Sequence, residues 1–153
     1  MSHFTQISVQ FQDFDFAHEY QKLRDSSHSD GALVTFVGLV RDINLQQSVS
    51  GLFLEHYPAM TKKALNSIVQ KARAKWQLGS VSVIHRVGQL EVSEQIVFVG
   101  LTSQHRQSAY QANEYIMDYL KTQAPFWKKE TTAEGDKWIE AKASDIEKAD
   151  GWL

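Results

Sequence analysis

The sequence predicts an α+β fold in which two long helices pack on a mixed, largely antiparallel sheet within one domain, residues 1–153. Three observations carry this. A length of 153 residues suits one hydrophobic core and falls short of two independent domains. Apolar residues recur at helical spacing in two long stretches, 64–76 and about 104–122. Around them lie short runs rich in Val, Ile, Leu and Phe, bounded by Gly, Pro and polar turns, as strands are. The resulting order is β, short α, β, β, α, β, β, α, β, β, which is not the strict βαβ alternation of a parallel sheet.

Taken in order, Phe4 to Phe11 reads as a strand with Phe4, Ile7, Val9 and Phe11 facing inward. Asp13 or Asp15 can cap a short helix carrying Phe16, Tyr20 and Leu23. After a polar loop from Ser26 to Gly31, Ala32 to Val40 is the most β-rich run, and Gly38 within it marks a bulge or a close backbone approach. Arg41-Asp42 ends that strand, and Asn44 to Ser50 reads as a loop with few anchors. Gly51 to Tyr57 is a strand halted by Pro58. The helix that follows places Ala64, Leu65, Ile68, Val69, Ala72 and Trp76 on one face and its Lys and Arg residues mostly on the other, with Gly79 as its stop. Strands follow at Val81–Val87 and Gln95–Leu101. Thr102 or Ser103 then caps a second long helix with Ala109, Ala112, Ile116, Tyr119 and Leu120 inward. Ala124-Pro125 breaks it, a hairpin turns about Gly135, and a frayed helix ends the chain.

Composition excludes several function classes. A hydrophobic fraction of 42% with 22% charged residues describes an ordinary globular chain. No apolar run approaches the roughly 20 residues that span a bilayer. The N-terminal residues lack a basic-then-apolar leader, so a cytoplasmic location is expected. The absence of cysteine excludes a disulfide scaffold, Cys-ligated zinc or iron–sulfur sites, and a cysteine nucleophile. The six His residues show no HExxH or paired i, i+4 spacing, so no metal or cofactor site is expected. Glycine-rich phosphate loops and GxSxG elbows are missing too. The net charge of −2 hides a gradient: residues 31–129 hold eleven bases against six acids, between acidic ends. A compact anionic ligand fits that basic centre better than a nucleic acid does.

Two segments bear chemistry. Lys121 falls in the last turn of the second long helix, and Pro125 reverses the chain into a strand carrying Lys128, Lys129 and Glu130. Such a corner can bring Lys121 and Lys128 to one pocket, where two ammonium groups disfavour double protonation and one amine becomes available as base or nucleophile. On a strand Lys128 and Glu130 share a face and Lys129 takes the other, so Glu130 can orient Lys128. The plainer reading is a lysine complementing the helix dipole and lysines on an exposed strand. The other segment is Ser103-Gln104-His105-Arg106, where cations stand at a helix N-terminus that favours anions, an arrangement a bound phosphate or carboxylate would offset. Arg41 is a similar lone cation at a strand end.

These segments resemble the large, catalytic subunit family of molybdopterin synthase. The resemblance runs through Gly31 to Arg41, Leu54-Glu-His-Tyr-Pro-Ala-Met60, Val83-Ile-His-Arg-Val-Gly88, Ile96 to Gly100, Ser103 to Arg106, and above all Met117-Asp-Tyr-Leu-Lys-Thr-Gln-Ala-Pro-Phe-Trp-Lys-Lys-Glu130. It continues to Trp138 and covers about residues 30–145. It implies an α/β hammerhead fold with a small added β subdomain. It implies a sulfurtransferase that converts cyclic pyranopterin monophosphate into molybdopterin, with two sulfurs delivered as a thiocarboxylate on the Gly-Gly tail of a small ubiquitin-like subunit. The implied catalytic residues are Lys121 and Lys128. Substrate contacts fall on Leu39, Val40, Arg41, His105, Arg106, Lys129 and Glu130, with Phe36 and Met117 as apolar lining. Leu39 stands where relatives often carry Lys. The implied assembly is a homodimer with a small subunit at each end, a heterotetramer in which residues near Arg41 serve the neighbouring protomer. A non-catalytic module that binds a ubiquitin-like protein or a phosphorylated ligand is the alternative. A sulfur-inserting enzyme without a thiol needs its sulfur brought by a partner.

Overall fold

The computed structural model describes residues 2–44, 47–139 and 143–153. Along the chain run β1 (Thr5–Gln10), α1 (Phe16–Asp25), β2 (Ala32–Leu39), β3 (Ile43–Asn44), β4 (Gln47–His56), α2 (Pro58–Lys75) and β5 (Leu78–Arg86). They are followed by β6 (Gly88–Glu91), β7 (Gln95–Ser103), α3 (Arg106–Gln123), β8 (Phe126–Thr132), β9 (Gly135–Ile139) and α4 (Ala143–Asp150).

The strands form two sheets, and the α+β expectation holds. The first has the order β1-β5-β7-β2, with β1 parallel to β5 and the other pairs antiparallel. Every residue of β5 is buried, because the sheet is covered on both faces. One face packs against α2 and α3 through Leu65, Ile68, Val69, Val81, Val83, Val99, Leu101, Ala112 and Ile116, while the other meets α1 through Leu23, Ile84 and Phe98. The second sheet runs β3-β4-β8-β9, and β6 pairs with the opposite edge of β4. Its core is Val40, Leu52, Leu54 and Leu90. Among the described residues no helix is long and apolar enough to cross a membrane.

Several expectations need correction. Phe11 is 58% exposed rather than inward, and lies beside Gly88, whose φ of +89° no larger residue adopts easily. Asp15 caps α1, its carboxylate accepting from the His18 amide at 3.2 Å. The segment read as a loop from Asn44 to Ser50 holds the paired ends of β3 and β4, with Leu45 and Gln46 outside the described residues. Gly79 does not stop α2. It lies inside β5, where a Cβ would overlap the Asp30 carboxylate and the Thr102 hydroxyl. Neither Thr102 nor Ser103 caps α3, because Thr102 Oγ1 donates to Asp30 and Ser103 Oγ to the Gln77 carbonyl. His105 takes the N-cap position with no side-chain cap bond.

Arg73 was expected on the solvent face of α2 and instead ties the first sheet together. Its guanidinium donates to the carbonyls of Gly79 at 2.8 Å and Phe4 at 3.1 Å, and to Thr5 Oγ1 at 2.8 Å. The helix, the edge strand β1 and the start of β5 are thus joined by one charged group. Replacing Arg73 with Ala is expected to destabilise the chain by about 2 kcal/mol in urea unfolding, since several hydrogen bonds from a charged donor are lost. Lys71→Ala, an exposed change on the same helix, should stay within about 0.5 kcal/mol.

Candidate active site

The segment from the end of α3 into β8 is built by local rules. Tyr119 and Leu120 are buried and anchor the last turn of α3, which leaves Lys121 exposed beside them. Pro125 keeps Ala124 out of the helical region, and Ala124 has φ −74° and ψ 132°. The chain turns, with the Phe126 amide donating to the Ala124 carbonyl at 2.8 Å, and enters β8. Antiparallel pairing with β4 then sets Lys128 opposite Leu54, Lys129 opposite Phe53 and Glu130 opposite Leu52. Directly opposed residues share a face, so Lys128 and Glu130 point one way and Lys129 the other.

A cavity of about 510 Å³ opens on the Lys128 face. The end of β2 brings Leu39, Val40 and Arg41 to it, α3 brings Lys121, and β8 brings Phe126, Trp127, Lys128 and Glu130. Three cationic side chains thus border one space, against the carboxylates of Glu130 and Asp145. Glu130 is tied to Asn44, whose Nδ2 donates to both carboxylate oxygens at 3.0 and 2.9 Å. Behind the cavity lie Leu52, Leu54 and Leu90, an apolar backing that strengthens charge interactions in front of it. Among the described residues no group of three or more His, Asp or Glu side chains is placed to hold a metal ion.

Not every residue singled out in the sequence reaches this cavity. Lys129 lies on the opposite face, its Nζ 5.2 Å from the Phe53 ring centre and 5.3 Å from that of Trp138, and 3.9 Å from Asp136 Oδ2. Phe36, 41% exposed on β2, and Met117, packed against the main core, do not border the cavity of this chain. His105 and Arg106 are exposed at the far end of α3. Lys121 lies fifteen steps along the helix from Arg106, or about 22 Å at 1.5 Å per residue. Within one chain the anion-favouring pair and the lysine pair are separate.

The structure also adds residues that sequence reasoning passed over. Asn44 was placed in a loop, and Asp145 in a frayed end. His85 falls within the strand expected from Val81 to Val87. Its ring is 2% exposed and stacks on Phe126 with centroids 3.8 Å apart and planes 18° apart. His56 lies on Phe126 as well, at 6.2 Å. His85 Nδ1 sits 2.8 Å from the Arg86 carbonyl, and a carbonyl only accepts, so Nδ1 carries the proton of a neutral ring. Burial pushes the His85 pKa down to about 3. The bond to Arg86 partly opposes this, and the charges of Lys128 and His56 add to it. A neutral imidazole therefore pins Phe126, and with it the start of the strand that carries Lys128. The only sequence signal is a titratable residue directly after Val83-Ile84 in a strand rich in β-branched residues.

A pH dependence follows. The folded ring titrates near 3 and the unfolded one near 6.5, so below 6.5 the unfolded chain takes up a proton the folded chain refuses. The stability involved is complete above pH 6.5 and declines as pH falls towards 3, by up to about 1.4 kcal/mol per pH unit. His85→Phe keeps an aromatic stack without the titration. Urea unfolding at pH 7.5 and 4.5 should show a smaller loss for this variant than for the parent, and parallel losses would contradict the assignment.

Residues 9–123 match the family model described as MoaE protein. The chain is 58% identical over 146 residues to the molybdopterin synthase catalytic subunit of Haemophilus ducreyi, covering 95% of this chain and 96% of that protein. It is 55% identical over 148 residues to the molybdopterin synthase catalytic subunit of Escherichia coli, covering 97% and 98%. The solved structure of the molybdopterin biosynthesis MoaE protein from Burkholderia ambifaria has a TM-score of 0.81 at 43% identity, over 99% of this chain and 98% of that one. On the family match and these identities, the chain belongs to the MoaE protein family.

Proposed function

We infer that the chain is the catalytic subunit of a molybdopterin synthase, inserting two sulfurs into cyclic pyranopterin monophosphate to form the dithiolene of molybdopterin. The observation that carries this reading is the meeting of Arg41, Lys121 and Lys128 at one cavity in a chain without cysteine. Sulfur then comes from outside, as a thiocarboxylate on the C-terminal Gly-Gly tail of a small ubiquitin-like subunit. Glycine residues, having no side chains, let such a tail lie extended in a narrow space. When the thiocarboxylate sulfur bonds to a side-chain carbon of the pterin, a carbon–oxygen bond at that carbon breaks and the oxygen leaves with a proton as water or stays on the opened phosphate, and the acyl–sulfur bond must then break. Its acyl group passes to a lysine amine or to water, and water leaves the carrier as a carboxylate. Lys121 and Lys128 are assigned as base and acyl acceptor, Arg41 as the contact for the substrate's anionic group, and Glu130 as the fixed carboxylate of the wall. The same reading places the protein in the cytoplasm.

A homodimer completes the site. β2 is the outer strand of the first sheet, with Phe36 and Leu39 exposed. Its first residue, Ala32, pairs with Ser103 beside His105 and Arg106, while its last, Leu39, borders the cavity. Antiparallel pairing of β2 with a second copy, with Phe36 near the two-fold axis, would lay the Ala32 end of one protomer against the Leu39 end of the other. His105 and Arg106 of each chain would then face the partner's cavity, adding a second anion contact to that of Arg41.

Lys121→Ala should abolish product formation with the thiocarboxylated small subunit while circular dichroism stays unchanged; wild-type turnover in that variant would refute the assignment. Co-purification with a small Gly-Gly-ended protein but no sulfur transfer would favour a binding module. The dimer is tested by mixing. Lys121→Ala and Arg106→Ala chains, each inactive alone, should regain about a quarter of wild-type activity when refolded together in equal amounts, because half the dimers are mixed and each holds one intact composite site. No recovery would place Arg106 and Lys121 in independent roles.

A further inference from the structure

A second, larger hollow of about 1370 Å³ lies away from the cavity described above and shares no lining residue with it. Four consecutive residues of the N-terminal segment, Phe4, Thr5, Gln6 and Ile7, border it. Successive strand residues point to opposite faces, so a hollow touching four in a row runs along the strand's edge and not over one face. β1 is an outer strand of its sheet and, among the described residues, pairs with β5 alone. The Phe4 carbonyl accepts from Val81 and that of Gln10 from Val87, which fixes the even-numbered residues as those that bond to β5. In a parallel ladder the alternate residues, Thr5, Ile7 and Val9, then aim their N–H and C=O groups outward along that edge.

Two helices wall this edge. The C-terminal half of α1 contributes Lys22 and Asp25, and the start of α2 contributes Pro58, Ala59, Lys62 and Lys63. Phe4, Ile7, Pro58 and Ala59 make an apolar floor, and Lys62 and Lys63 are exposed at the rim. The first turn of α2 has no acidic residue to offset its positive end. Asp25 is the single carboxylate against three lysines, and of these Lys22 is already bonded to Gln6 and Glu19.

We propose that this groove binds an extended, acidic segment of a partner protein, which adds to the free edge of β1 as a further strand of the sheet. Backbone pairing to Thr5, Ile7 and Val9 would supply register, apolar side chains of the segment would meet Phe4 and Ile7, and its carboxylates would meet Lys62 and Lys63. A second copy of this chain fits less well, since pairing β1 with β1 would bring two sets of these lysines together.

The capped peptide Val-Glu-Val-Glu-Val-Glu is a direct probe, titrated into the full chain by calorimetry and followed by amide exchange. Binding should slow exchange at Thr5, Ile7 and Val9. Lys62→Glu combined with Lys63→Glu should weaken it by about tenfold, as the loss of two exposed charge contacts does. Replacing glutamate by lysine in the peptide, or methylating alternate backbone nitrogens, should remove binding without altering the protein. No binding at millimolar peptide, protection elsewhere on the chain, equal affinity for the lysine peptide, or self-association through β1 would each overturn the proposal.

Discussion

The register between β4 and β8 is the constraint on which the candidate site depends. Leu54 faces Lys128 and Leu52 faces Glu130, and both leucines are almost fully buried. A slip of β8 by one residue would exchange Lys128 for Lys129 in the cavity and set a charged side chain of the wrong register against the buried leucines. The pairing is held from several directions. β6 pairs on the other side of β4, the ladder contains an irregularity between Val49 and Gly51, and Asn44 grips Glu130 from β3. The aromatic faces of Phe53 and Trp138 hold Lys129 on its own side. Hydrophobic burial sets which lysine is presented, and cation–π contacts give the other one a place of its own.

The corner before β8 is constrained from the opposite sheet. Phe126 is the first residue of the strand, and it rests on His85, a residue of the central strand β5. That stack joins the two sheets at the point where α3 gives way to β8. A titratable ring in this place stays neutral because it is enclosed, so the support beneath the cavity does not add a charge to it near neutral pH. The cavity's charges come instead from Arg41, Lys121 and Lys128 at its border, with Glu130 committed to Asn44.

Much of this was legible in the sequence where one period dominates. The apolar face expected for α3, Ala109, Ala112, Ile116, Tyr119 and Leu120, is buried at every position, because a helix packed on one side leaves a clear 3.6-residue rhythm. The split of Lys128 and Glu130 from Lys129 followed from the period of two. What was not legible depends on partners far away in the chain. Asn44 joins a hairpin because Glu130, 86 residues on, accepts its amide. Gly79 sits in a strand because Asp30 and Thr102 crowd it. His85 matters through Phe126, which nothing local announces. The distance between Arg106 and Lys121, by contrast, could have been counted from the sequence, since both lie on one unbroken helix.

That helix has an electrical consequence. Screening in physiological salt decays over about 8 Å, and the two exposed ends of α3 stand about 22 Å apart. Within a single chain, a charge gained or lost beside His105 and Arg106 goes unfelt at Lys121. The rod insulates its two termini from one another, so the potential at the cavity is set by its own border and by whatever surface is pressed against it.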